Sequence, residues 1–283
     1  MMSDVVQVAD VFDALAAAAP EIRAGFAGRR GETDDRNATG DRQIHADLHA
    51  DEVLRAHFGA LDGVGQYASE ECESVRDLGD GPLSVTVDPL DGSSNLGANN
   101  PTGTIVGVYD APLPASGRDL IAAAYVLYGP LTTMVAATDD GVTRYEIAPD
   151  GRREGESVSL PADPTVYGFG GRLPDWTDDF TDYARDVEDE LKLRYSGAMV
   201  ADVNQVLTYG GVFAYPGLRD RPEGKLRTQF EAVPMAYIVE TAGGASTDGR
   251  RSLLDVRPSE LHERTPVYLG NDGLVRRAER ALA

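Results

Sequence analysis

The stretch that decides the reading is Leu83-Ser84-Val85-Thr86-Val87-Asp88-Pro89-Leu90-Asp91-Gly92-Ser93-Ser94-Asn95. Residues 83–87 are rich in β-favouring side chains and predict a short strand. Pro89 holds Asp88 in extended backbone, so the strand runs into a turn. Asp91 follows one tight turn later. Two carboxylates so placed are hard oxygen ligands able to share magnesium ions. Gly92, Ser93 and Ser94 then offer consecutive backbone N–H groups and two hydroxyls, the makings of a phosphate cradle. A bare Asp-Pro-x-Asp-Gly reads more simply as an Asx-type turn. The whole octet behind a strand favours the metal and phosphate reading.

Glu70-Glu71 lies just upstream. Alone, adjacent acids in an acidic chain read as solvated surface. Beside Asp88 and Asp91 they add the oxygen ligands and the base that a multi-metal phosphoryl-transfer site needs. Glu231 precedes an apolar helix with Pro234 in its first turn and could equally serve the helix dipole. His45 and His49 are spaced i, i+4, but no third zinc ligand is evident, so they read as an exposed helical face. No Gly-x-Ser-x-Gly elbow and no P-loop occurs.

On both sides of the octet, helical and strand patterns mix. Residues 5–19 and 44–58 carry apolar side chains at helical spacing. Polar residues 28–41 predict an exposed loop between them. Strands are expected at 104–109, 120–128, 131–137 and 143–147. The charged, Gly- and Pro-punctuated stretch 150–164 marks a boundary between an N-terminal domain, residues 1–160, and a C-terminal domain, residues 161–283. Beyond it come a strand at 165–169, helices at 177–191 and 199–209, a strand at 212–215, a helix at 234–242 and a last strand at 266–269. Helices and strands mixed in both halves give an α+β, layered architecture.

Bulk composition narrows the function. The chain has 283 residues, 42% of them hydrophobic, enough for a full core. No run reaches the roughly 20 apolar residues of a membrane span. Residues 1–10 carry two aspartates and no basic segment, so the expected location is cytoplasmic. The single cysteine, Cys72, excludes an intramolecular disulfide. The formal net charge of −21 excludes nucleic acid and anionic membranes as partners. It would repel a phosphorylated substrate too, unless bound cations invert the local field. Only Lys192 and Lys225 are lysines among 26 basic residues, and carboxylates abound. That balance is expected of adaptation to high salt, where self-repulsion is screened. Lys225, retained against the arginine bias, is a candidate phosphate ligand.

Taken together, Ser69-Glu70-Glu71, residues 87–95, 195–215 and 224–244 resemble the class I fructose-1,6-bisphosphatases of the lithium-sensitive magnesium phosphatase superfamily. The resemblance runs from residue 11 to 279. Serine after Gly92 favours this family over inositol monophosphatases. The resemblance implies a layered α-β-α-β-α sandwich. It implies magnesium-dependent hydrolysis of the 1-phosphate of fructose 1,6-bisphosphate, with sedoheptulose 1,7-bisphosphate or an inositol phosphate as alternative substrates and a non-catalytic sensor as an alternative role. It implies two or three Mg²⁺ per site, replaceable by Mn²⁺, held by Glu70, Glu71, Asp88, Asp91, Glu231 and the Leu90 carbonyl. By the same resemblance Asp47 and Glu71 polarise the attacking water, and Asp41 sits on a mobile loop that closes over the metals. Asp41 and Asp47 are six apart, about 240° around a helix, so they cannot share one face. Gly92, Ser93, Ser94 and Arg227 match the 1-phosphate site. Tyr195, Tyr215 and Lys225 match the 6-phosphate pocket, Met199 a sugar contact, and Arg194 an arginine lent by a neighbouring subunit of a dimer or tetramer. Where animal-type members carry an AMP-binding Lys-Tyr pair and an arginine, this chain has Pro82-Leu83 and Asp110, which predicts no AMP inhibition.

Overall fold

The computed structural model describes residues 2–29, 31–36, 42–149 and 151–283. Asp41 lies outside the described residues. The helices are α1 (Met2–Ala24), α2 (His45–Gly59), α3 (Asn95–Ala98), α4 (Asp178–Glu190), α5 (Met199–Tyr209), α6 (Val233–Thr241) and α7 (Asp272–Leu282).

Among the described residues the first sheet has nine strands. Near one edge, Val64–Ser69 pairs in parallel with Leu83–Asp91. Thr102–Tyr109, Leu120–Tyr128, Thr132–Thr138 and Gly141–Ala148 follow, each antiparallel to the last. Successive side chains of a strand point to opposite faces, and the sheet uses both. Val85, Val87, Val106, Val108, Ala122 and Ala124 pack with α1 and α2. Ile105, Ala123, Tyr125 and Val135 pack on the other face with α5 and α6. The second sheet runs Lys192–Leu193, Val166–Phe169, Gly211–Tyr215, Val267–Gly270, Ala245–Thr247. Its Phe213, Val267 and Leu269 face the α5–α6 layer. Its Tyr167, Phe169, Val212 and Ala214 face α4 and α7. Helices, sheet, helices, sheet and helices are therefore stacked in that order, the sandwich the sequence implied. Each large apolar side chain fully buried in these layers contributes roughly 1.5–3 kcal/mol.

Some local readings need correcting. Within the expected loop 28–41, Glu32–Arg36 forms a strand antiparallel to Arg42–Ile44. Its sequence, Glu-Thr-Asp-Asp-Arg, has no apolar alternation to signal a strand. The key strand does not stop at Asp88: it continues to Asp91, with a register shift between Asp88 and Asp91 against its neighbour. The boundary stretch 150–164 adds short strands Gly151–Arg152 and Glu156–Val158 to the edge strand Gly141–Ala148. The strand Val64–Ser69 and helix α7 had no counterpart in the sequence reading. Among the described residues no helix is long and apolar enough to cross a membrane.

Candidate active site and metal centre

Parallel pairing sets Ser69 opposite Val87, and the Glu70 N–H donates to the Val87 carbonyl at 3.0 Å. That register delivers Glu70 beside Asp88, although 18 positions separate them in the chain. The Leu90 N–H donates to Asp88 Oδ1 at 3.0 Å, an Asx-type bond that holds the turn leading to Asp91. The bulge then aims Asp91 toward α5, where its Oδ2 accepts the Val200 N–H at 2.7 Å. Glu231 arrives from the C-terminal half on a wide helical turn, Thr228–Ala232, that leads into α6. Its Oε2 accepts the Arg227 N–H at 2.6 Å. Carboxylate oxygens of Asp88, Asp91 and Glu231 all lie within 4.8 Å of one another, and all three residues are buried. Arg227, itself only 2% exposed, reaches Glu70 with Nη2 at 3.2 Å from Oε1.

So many acids cannot all ionise cheaply in a buried space. Burial first, then the charges of Glu70, Asp91, Glu231 and Glu71, hold Asp88 well above the usual carboxylate range. Burial likewise raises Asp91 to about 7, against the N–H bonds of Val200 and Met199. Burial and the Glu70 charge raise Glu231 to about 8. All the donors are hard carboxylate oxygens, and the residues fit a divalent cation of the magnesium class. Asp47, in the first turn of α2, has Oδ2 on the Ile44 N–H at 2.8 Å. Burial raises its carboxyl to about 7, while bonds from Ile44 and the Ser93 side chain oppose the shift.

These acids line one end of a cavity of about 300 Å³ that also takes in Leu90, Gly92, Ser93 and Ser94. Gly92 has φ +70°, and a Cβ there would meet Ala198 Cβ at 2.4 Å, so the turn packs tightly on the start of α5. The Asn95 side chain ties the same turn to the Pro101 and Ser196 carbonyls at 2.9 and 3.0 Å. Tyr195, Met199, Tyr215, Lys225 and Arg227 line the rest of the cavity. Lys225 Nζ sits 5.4 Å from the centroid of the Tyr215 ring.

Models of the fructose-1-6-bisphosphatase N-terminal and C-terminal domains match residues 11–153 and 160–283. A class 1 fructose-1,6-bisphosphatase of Halobacterium salinarum is 58% identical, over 99% of this chain and 98% of that protein. One from Natronomonas pharaonis is 56% identical, over 99% of this chain and all of its relative. The chain belongs to the class 1 fructose-1,6-bisphosphatase family. The crystal structure of the Leishmania major fructose-1,6-bisphosphatase in holo form superposes with a TM-score of 0.91 at 30% identity, covering 97% of this chain and 94% of that one.

Relative to the sites expected of a class 1 fructose-1,6-bisphosphatase, Arg194 stands apart. It is exposed, does not line the cavity, and its N–H donates to the Tyr167 carbonyl at 2.7 Å. The cavity also contains residues to which the sequence reading gave no role. Asp202 is 2% exposed, and its Oδ1 accepts the Ser196 N–H at 2.6 Å. An acid inside the apolar run Met199-Val200-Ala201-Asp202-Val203 was a signal available in the sequence. Arg264, whose Nη1 donates to the Lys225 carbonyl at 2.8 Å, left no such signal. His49 and His57 face α1, where His57 Nε2 lies 3.6 Å from Glu21 Oε2.

Proposed function

We propose that the chain hydrolyses the 1-phosphate of fructose 1,6-bisphosphate to fructose 6-phosphate and phosphate, the reaction of its family and a step of gluconeogenesis. Support comes chiefly from one observation: Asp88, Asp91 and Glu231 converge to within 4.8 Å beside the Gly92–Ser93–Ser94 turn. Glu70, Glu71, Asp88, Asp91, Glu231 and the Leu90 carbonyl would hold two or three Mg²⁺ ions, or Mn²⁺ in their place, whose chemistry is to neutralise the phosphate and the leaving oxygen. Asp47 and Glu71 orient the attacking water and take its proton; a carboxyl titrating near 7 suits that task at neutral pH. Backbone N–H groups of Gly92, Ser93 and Ser94, with Arg227, hold the 1-phosphate. Lys225, Tyr195 and Tyr215 hold the 6-phosphate and Met199 the sugar.

On this reading residues 1–160 form the metal and 1-phosphate domain and residues 161–283 the sugar domain. In a homodimer or homotetramer, exposed Arg194 would serve a neighbouring subunit's 6-phosphate; the proposed location is the cytoplasm. Phosphate release from fructose 1,6-bisphosphate, sedoheptulose 1,7-bisphosphate and an inositol monophosphate, in molar KCl with and without Mg²⁺, tests the proposal. It predicts the highest kcat/KM on the first substrate and none without the metal. Preference for another substrate would reassign the specificity; inactivity on all three would leave a sensor.

A further inference from the structure

We propose that His262 is a positioning residue for the metal-binding carboxylates, bracing the Glu70–Glu71 turn against the segment that carries Glu231. The proposal rests on reading those acids as metal ligands. His262 precedes the strand Arg264–Thr265, which pairs antiparallel with Leu226–Arg227, setting Arg264 opposite Arg227. The next carbonyl, of Glu263, accepts the Thr228 N–H at 2.8 Å. The backbone of His262 is thereby fixed to the turn that presents Glu231.

From that anchor the imidazole crosses to the other half of the chain. Its Nε2 lies 2.8 Å from the carbonyl oxygen of Cys72, 190 positions away in sequence and the residue directly after Glu71. A carbonyl only accepts, so the proton is on Nε2. Among the described residues Nδ1 is buried with no hydrogen-bond partner, so the ring's polar hold there is the bond to Cys72. One ring contact completes the brace: Phe230, the residue directly before Glu231, has its ring centroid 5.2 Å from that of His262. Phe230 is fully buried. One side chain thus holds the residue after Glu71 by its N–H and packs against the residue before Glu231. Carboxylate oxygens of Asp88, Asp91 and Glu231, carried on separate segments, lie within 4.8 Å of one another. A rigid tie keeps their oxygens close enough to meet a cation, the task of outer-shell groups around metal ligands.

The test is Mn²⁺ binding to the full-length protein in molar KCl, read by electron paramagnetic resonance without substrate, alongside KM for fructose 1,6-bisphosphate at saturating metal. His262→Phe keeps a ring beside Phe230 but removes the N–H, and should weaken Mn²⁺ binding about tenfold with KM unchanged. His262→Gln keeps a donor for the Cys72 carbonyl and should restore most of the affinity. Wild-type affinity in folded His262→Phe, or equal losses in both variants, would overturn the brace. If His262→Phe does not fold, His262→Gln decides: near wild-type affinity sustains the proposal and a tenfold loss overturns it. Asp91→Asn separates the two layers of inference. Should it bind Mn²⁺ normally, the ligand assignment itself fails; should it lose Mn²⁺ while His262→Phe does not, only the brace fails.

Discussion

The carboxylate of Asp91 accepts the Val200 N–H at the start of α5 while facing Asp88 and Glu231 across less than 4.8 Å. An asparagine there keeps an acceptor for the helix but removes the charge. Asp91→Asn is therefore expected to fold normally by circular dichroism and to lose activity on the order of 10³-fold. Proton linkage follows from the same acids. Asp91 and Glu231 titrate near 7 and 8 when folded, against ordinary values of 3.8 and 4.5. The cation-free fold therefore binds protons that the unfolded chain releases. Its stability from these groups is fully present at acid pH and is lost as pH rises through 7 and 8. A bound divalent cation replaces those protons, so the rise in thermal midpoint on adding Mg²⁺ should be larger at about pH 8.5 than at about pH 6. An equal rise at both would show that these carboxyls do not titrate as described.

Among the elements, the strand Leu83–Asp91 joins two different environments. Its far end carries the acids. Its near end opens on a cavity of about 530 Å³ lined by Pro82, Leu83 and three exposed carboxylates, Asp110, Asp139 and Asp140. A nucleotide phosphate entering there meets like charge. AMP at sub-millimolar concentration should leave initial rates unchanged, and inhibition abolished by substituting Asp110 would contradict this. The element scale also shows what the sequence made legible. The octet was readable because its information is local: a proline, a glycine with positive φ and two acids within one turn. Helix α5 was readable from its apolar run and the glycine pair that follows it. Val64–Ser69 was not, because Gly65, Ala68 and Ser69 have little strand preference and owe their conformation to pairing with Leu83–Asp91. The strand Glu32–Arg36 was hidden for the same reason.

Across the whole molecule, layered α and β structure was legible from helix and strand patterns in both halves, such as the unbroken apolar run from Leu120 to Tyr128, while the order of the layers came from the resemblance alone. The convergence of Glu231 with Asp88 was not visible in any local pattern; only the resemblance linked them, and the packing of α6 against the first sheet creates the meeting. Arg264 and His262 were given no role because their partners, Lys225 and Cys72, lie far along the chain. Net charge is a property of this scale as well. With −21 formal charges and two lysines, self-repulsion works against the compact state until salt screens it. The thermal midpoint without divalent metal should climb by several degrees from dilute buffer to molar KCl; a flat response would remove high-salt adaptation from the account.

Anomalous diffraction from crystals equilibrated with Mn²⁺ would locate the bound cation. Manganese is expected within about 2.5 Å of carboxylate oxygens from Asp88, Asp91 and Glu231, beside the turn at Gly92. Manganese bound elsewhere, with that carboxylate cluster empty at concentrations that sustain turnover, would contradict that expectation.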